Sequence, residues 1–129
     1  MDAFRLFLHV LAASIWVGGQ FVLAGLLPTV RGFGEDASRQ AGRAYNRLAW
    51  PAYGVLVVTG LWNLFELPLD DLQHPWIELK ILAVVLSGAG AAAHQMARGN
   101  KVLLAVGGAA SAVFAVVAMY LGFLVTPVP

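Results

Sequence analysis

The chain has 129 residues, 60% of them hydrophobic and 12% charged, with a net charge of +1 and no cysteine. Soluble domains carry about 25% charged residues, and one this small lacks the volume to hide so much apolar surface, so lipid must solvate part of it. The near-neutral balance gives no sign of a nucleic-acid partner. The missing thiols exclude disulfides, thiolate metal centres, iron–sulfur clusters and thiol nucleophiles.

Charges divide the sequence into four apolar runs, Leu6–Val30, Leu48–Phe65, Ile81–Ala97 and Val102–Val128. A hydrocarbon core of about 30 Å takes about 20 helical residues to cross. The first and fourth runs exceed that, and the second and third reach it once their amphipathic ends near Ala44 and Trp76 are included. Alternation with period two is absent and Ala and Leu abound, so the runs read as helices. The first run is longer than the about 7–15 residues of a signal-peptide core, and Asp2 with Arg5 makes a poor basic leader, so it reads as a retained helix. Pro51 is expected in the first turn of the second helix, and Gly99-Asn100 as a tight turn between adjacent third and fourth helices. The predicted fold is one all-α domain over 1–129, a four-helix antiparallel transmembrane bundle with helices at 3–30, 44–66, 76–98 and 101–125. Arg31, Arg39, Arg43, Arg47, Arg98 and Lys101 lie on one side, against Arg5 and Lys80 with several carboxylates on the other. Basic residues favour the cytoplasm, so both termini are predicted outside, N-out and C-out.

Helical phase sorts the polar residues. His9, Ala13, Trp16 and Gln20 share a face of the first helix, with Ser14, Gly18 and Gly25 on the other side, where small residues suit close helix contact. Thr59, Asn63 and Glu66 cluster on the second helix. Lys80, Ser87 and His94 repeat every seven residues on the third. Gly108, Ser111, Ala112, Ala115, Met119 and Gly122 form a small-residue seam on the fourth. Polar groups are costly in hydrocarbon, so these stripes are expected to face one another. Depth places His9, Lys80, Asn63 and Met119 near the outer face. His94 lies four turns from Lys80, roughly 21 Å at 1.5 Å per residue, so His9 and His94 are not expected to share one metal.

An imidazole inside a transmembrane helix points to a metal or haem ligand or a proton carrier, and a histidine bonded across helices is the plainer alternative. Lys80 suits a haem propionate or an anionic substrate, or else snorkels to the interface. Met119 offers a soft thioether to copper or haem iron, or packs. His74 with Asp70 and Asp71 forms an external trio suited to weak cation capture, or a solvated acidic loop. Trp16, Trp50, Trp62 and Trp76 read as interfacial belt residues, with Trp16 deeper and on the His9 face.

The segment Leu8-His9-Val10-Leu11-Ala12-Ala13-Ser14-Ile15-Trp16-Val17-Gly18-Gly19 resembles the first helix of the copper-resistance D (CopD-like) family, where a histidine precedes a Trp-x-Gly-Gly. Asn46-Arg47-Leu48-Ala49-Trp50 through Thr59-Gly60-Leu61-Trp62-Asn63 looks like that family's second helix, and Trp76-Ile77-Glu78-Leu79-Lys80 like the opening of its third. The chain is also similar to four-helix HemJ-type proteins, which are associated with protoporphyrinogen oxidation and haem b. Their histidine in helix one and lysine opening helix three match His9 and Lys80.

The first resemblance implies copper handling or import at a bacterial inner membrane, and the second a haem b redox protein. The few Met and His residues suit one haem or one metal ion better than a transport path. In either case His9 would be the ligand, with Lys80 as electrostatic partner and Asn63, Trp16 and Met119 around it. A third expectation is a structural or assembly subunit, docking a membrane partner or a second copy through its Gly/Ala faces.

Overall fold

The computed structural model describes residues 2–125. Among them there is no strand, and four helices are long and apolar enough to cross a membrane. They are α1 (Asp2–Arg31), α2 (Glu35–Phe65), α3 (Pro75–Gln95) and α4 (Lys101–Val125), with one extra turn at Leu69–Leu72. The protein is therefore all-α and multi-pass, and its large apolar side chains confirm the solvent. Phe4, Phe7, Val10, Phe21, Val58, Val85 and Phe123 are exposed, whereas the buried positions are mostly Ala, Gly and Ser. Lipid, unlike water, does not drive Leu or Phe inward, so small residues that let helices approach closely take the interior. The end of the fourth apolar run, residues 126–129, lies outside the described residues.

The chain forms two compact units, Met1–Glu66 and Leu67–Pro129. In the first, α1 and α2 run antiparallel, as the pairings of Arg5 with Glu66, His9 with Thr59, and Trp16 with Trp50 require. Helix α1 contains a π-helical turn at Ser14–Gly18. That turn shifts the phase predicted for an uninterrupted α-helix. Ser14 is exposed and folds its hydroxyl back onto the Val10 carbonyl at 2.7 Å, and a Cβ at Gly18 or Gly25 would meet nothing within 4 Å. The close approach falls instead at Gly19, where a Cβ would stand 2.9 Å from Tyr45 Cε2.

Helix α2 begins at Glu35, well before the expected start near Ala44. Gly34, at φ 110°, makes the entry that a side chain would strain. Glu35 and Asp36 stand in the first turn, where the helix dipole favours them, and both pair with Arg39 at 3.9–4.0 Å. Pro51 consequently sits inside this helix rather than in its first turn. Helix α3 starts with His74 as N-cap, its Nδ1 accepting from the Trp76 backbone N–H at 3.3 Å, and Pro75 in the first helical position. It ends at Gln95, short of the predicted 98, because Arg98 (φ 44°) and Gly99 (φ 87°) turn the chain through the left-handed region. Asn100 Oδ1 then accepts from the Leu103 N–H at 3.0 Å and opens α4.

In the second unit α3 and α4 meet backbone to backbone. A Cβ on Gly90 would stand 2.7 Å from Ser111 N, and one on Gly107 2.7 Å from His94 N. Ser87, 1% exposed, donates to the Ser111 carbonyl at 2.8 Å. Ala83, Ala118 and Leu121, with Val84 and Phe114 against them, fill the space towards the other end.

Candidate functional site

The first unit stacks its polar and aromatic groups in a column between α1 and α2. Arg5, His9, Ala12 and Trp16 recur at helical spacing along α1, and Trp50, Tyr53, Thr59 and Trp62 answer them from α2, with Glu66 just past its end. At the deep end Trp16, 3% exposed, packs its ring 5.4 Å from Trp50 and 4.5 Å from Tyr53, while Trp50 and Tyr53 meet edge to face at 5.7 Å. Two of the tryptophans expected in an interfacial belt thus form an aromatic plug inside the helix pair.

Nearer the end where α1 begins, His9 Nδ1 lies 2.8 Å from Thr59 Oγ1. The direction of this bond follows from the threonine. Its single hydroxyl proton goes to the Val55 carbonyl at 2.7 Å, with Leu56 O at 3.2 Å as a weaker branch. With the hydroxyl proton on Val55, Thr59 Oγ1 accepts from histidine, and in that tautomer Nδ1 carries the proton. This is the arrangement in which an outer partner fixes the tautomer and orientation of a ligating imidazole. Gly60 lies beside the ring, and a Cβ there would reach His9 Cε1 at 3.4 Å. Asn63, one turn beyond Thr59, has a buried Oδ1 with no hydrogen-bond partner among the described residues.

Arg5 is the residue that sequence reasoning undervalued. Read as a topology-setting charge, it is 9% exposed, with its guanidinium 5.9 Å from the Trp62 ring centroid. The signal was present: Arg5 and His9 are spaced i, i+4 and share a face of α1.

The other expected residues lie in the second unit. Lys80 runs alongside Gly122, its ammonium 3.0 Å from where a Cβ would stand. Met119 is 40% exposed on α4. The buried seam of α4 runs through Gly107, Ser111, Ala115, Ala118 and Leu121, one position away from several of the residues predicted for it. His94 Nδ1 donates to the Leu104 carbonyl at 2.6 Å and its ring covers Gly108, so it braces the α3–α4 turn.

Among the described residues no three His, Cys, Asp or Glu side chains converge to hold a metal ion. His74 with Asp70 and Asp71 therefore does not form the external trio. The turn at Leu69–Leu72 carries the two carboxylates in its own first turn, and His74 is engaged in capping α3. Compared with protein families, curated proteins and solved structures, the chain gives no match.

Proposed function

We propose that this multi-pass membrane protein binds a single haem b, with His9 as an axial ligand, near the extracytoplasmic face of a bacterial inner membrane. The observation that carries the reading is the relay His9–Thr59–Val55, which orients the imidazole through its Nδ1. The presence of a single histidine on this face, rather than the relay, is what favours haem over a copper ion. A porphyrin brings its own in-plane nitrogens and asks the chain for one or two axial side chains, whereas a copper site must be assembled from several. Asn63, one turn from Thr59, adds a buried Oδ1 with no hydrogen-bond partner among the described residues.

The chain's own work is to orient His9, to close the deep end of the site with Trp16, Trp50 and Tyr53, and to keep water from the imidazole. When bound, haem b would supply one-electron redox chemistry, with potential set by the axial ligand and by burial. The outer position is supported by the Arg-rich segment Arg31–Arg47 at the opposite end of the helices, since basic residues favour the cytoplasmic side.

The test is an absorption spectrum of the detergent-purified chain and of His9→Ala, with iron and copper counted on the same samples. A Soret band with matching iron is expected in the wild type and is expected to vanish in the variant while helicity is kept. Copper without a Soret band, lost in the variant, would put copper handling in its place, the reading that the CopD-like segment Leu8–Gly19 favours. Neither metal in a well-folded wild type would sink both and leave an assembly subunit.

A further inference from the structure

Arg5 stands one turn from His9 on the same face of α1, and its surroundings are out of balance. The residue is nine-tenths buried, yet its nearest carboxylates, Asp2 at 3.4 Å and Glu66 at 3.9 Å, are themselves well exposed. Both separations exceed the about 2.7–2.9 Å of a charge-assisted hydrogen bond. Its Nε is buried with no hydrogen-bond partner among the described residues. A guanidinium offers five N–H donors in a planar fork, and a buried cation is stable only when its donors are met. Two loose contacts from the terminal nitrogens leave Nε unmet, so the fork retains capacity for an incoming acid.

A second observation shows what kind of molecule would bring that acid. Trp62, which carries the guanidinium on its ring, also lines an apolar groove of about 450 Å³ with Leu8, Pro51, Gly54, Val55, Val58 and Thr59. Thr59 in turn holds His9. Neither His9 nor Arg5 lines this groove, but each is held by a residue that does, His9 by Thr59 and Arg5 by Trp62. That sequence of groups matches an amphipathic molecule with an apolar body and an acidic edge.

We propose that Arg5 is the acid-recognition residue of the His9 site, binding a carboxylate of the ligand (a haem propionate if the site holds haem b, the reading on which this inference rests). Trp62 holds the guanidinium in place, and Glu66 is the resident carboxylate that the ligand's acid displaces. No covalent step is involved.

The experiment titrates the full chain, purified without haem, with haem b and with haem b dimethyl ester, whose propionates carry no charge. Wild type, Arg5→Gln, Glu66→Gln and His9→Ala are compared. The ratio between the two probes, followed across variants, cancels their different partition into detergent. Wild type is expected to bind the free acid about tenfold or more tighter than the ester, the scale of a hydrogen bond to a charged group. Arg5→Gln is expected to weaken haem b and leave the ester unchanged, and Glu66→Gln to tighten haem b severalfold by removing the competing carboxylate.

Equal binding of both probes by wild type would overturn the proposal. So would equal weakening of both by Arg5→Gln, or looser haem b binding in Glu66→Gln, since the Arg5–Glu66 contact would then be a structural strut. The wild-type ratio and Glu66→Gln leave Arg5 in place, so the proposal can fail even if Arg5→Gln does not fold. His9→Ala reads the other premise: if it binds both probes as the wild type does, the axial-ligand reading falls, whatever the ratio.

Discussion

Thr59 is bonded on both sides, accepting from His9 and donating to Val55, and neither bond can be replaced by water in a low-dielectric interior. Thr59→Val keeps the β-branched shape and removes only the hydroxyl. His9 Nδ1 then loses the partner that fixes its tautomer, and retention of haem or metal is expected to fall about tenfold or more. Thr59→Ser, which restores the hydroxyl, is expected to recover most of it. A spectral titration of both variants measures this, and full retention in Thr59→Val would remove the relay from the site. His9, Trp16, Thr59 and Asn63 stood out in the sequence because a polar or bulky group inside an apolar run has few reasons to be there. Arg5 did not, because it sits at the edge of its run, where an arginine ordinarily snorkels. Its burial depends on Trp62 and Glu66, contributed by the far end of another helix, which no local pattern records.

Small residues do different work in different helices, and spacing alone does not separate them. Gly90 and Gly107 lie where α3 and α4 touch through their backbones, so an added methyl would press on Ser111 N, an atom that cannot swing aside. Gly90→Ala is therefore expected to destabilise the α3–α4 pair by about 1–3 kcal/mol, the usual scale of overpacking. Gly25→Ala meets nothing within 4 Å and is expected to stay within about 0.5 kcal/mol of wild type. Unfolding of the two variants in a graded denaturing detergent compares them directly, and equal stability would mean that the helices do not cross at Gly90. The predicted small-residue faces missed this distinction for a physical reason. On α1 the π-helical turn at Ser14–Gly18 rotates the remainder of the helix, and no residue pattern in that segment announces it. The early start of α2 escaped notice for a related reason. Counting apolar residues finds the part of a helix that lipid touches, while the segment from Glu35 to Arg47 is held by propensity, dipole and ion pairs.

The four crossings were legible in the sequence because hydrocarbon thickness and helical rise together fix how long an apolar run must be. The same arithmetic now gives the molecule a direction. Helix α2 has 31 residues, about 46 Å at 1.5 Å per residue, against a hydrocarbon core of about 30 Å. Its polar beginning must therefore project beyond the core. Arg39, Arg43 and Arg47 recur every four residues there and share one face, and the positive-inside tendency predicts a cytoplasmic position for this projection. The natural chain has no cysteine, so a single introduced thiol reports its side of the membrane without background. Gln40 on the α2 projection and Gln73 before α3 are both exposed and uncharged, so replacing either with cysteine leaves the charge balance alone. Gln73→Cys is expected to react with a membrane-impermeant maleimide on intact cells, and Gln40→Cys only after permeabilisation. The reverse pattern would put the Arg5 and His9 end of α1 on the cytoplasmic side. The site would then draw its ligand from the interior of the cell, and the extracytoplasmic placement proposed for it would have to be abandoned.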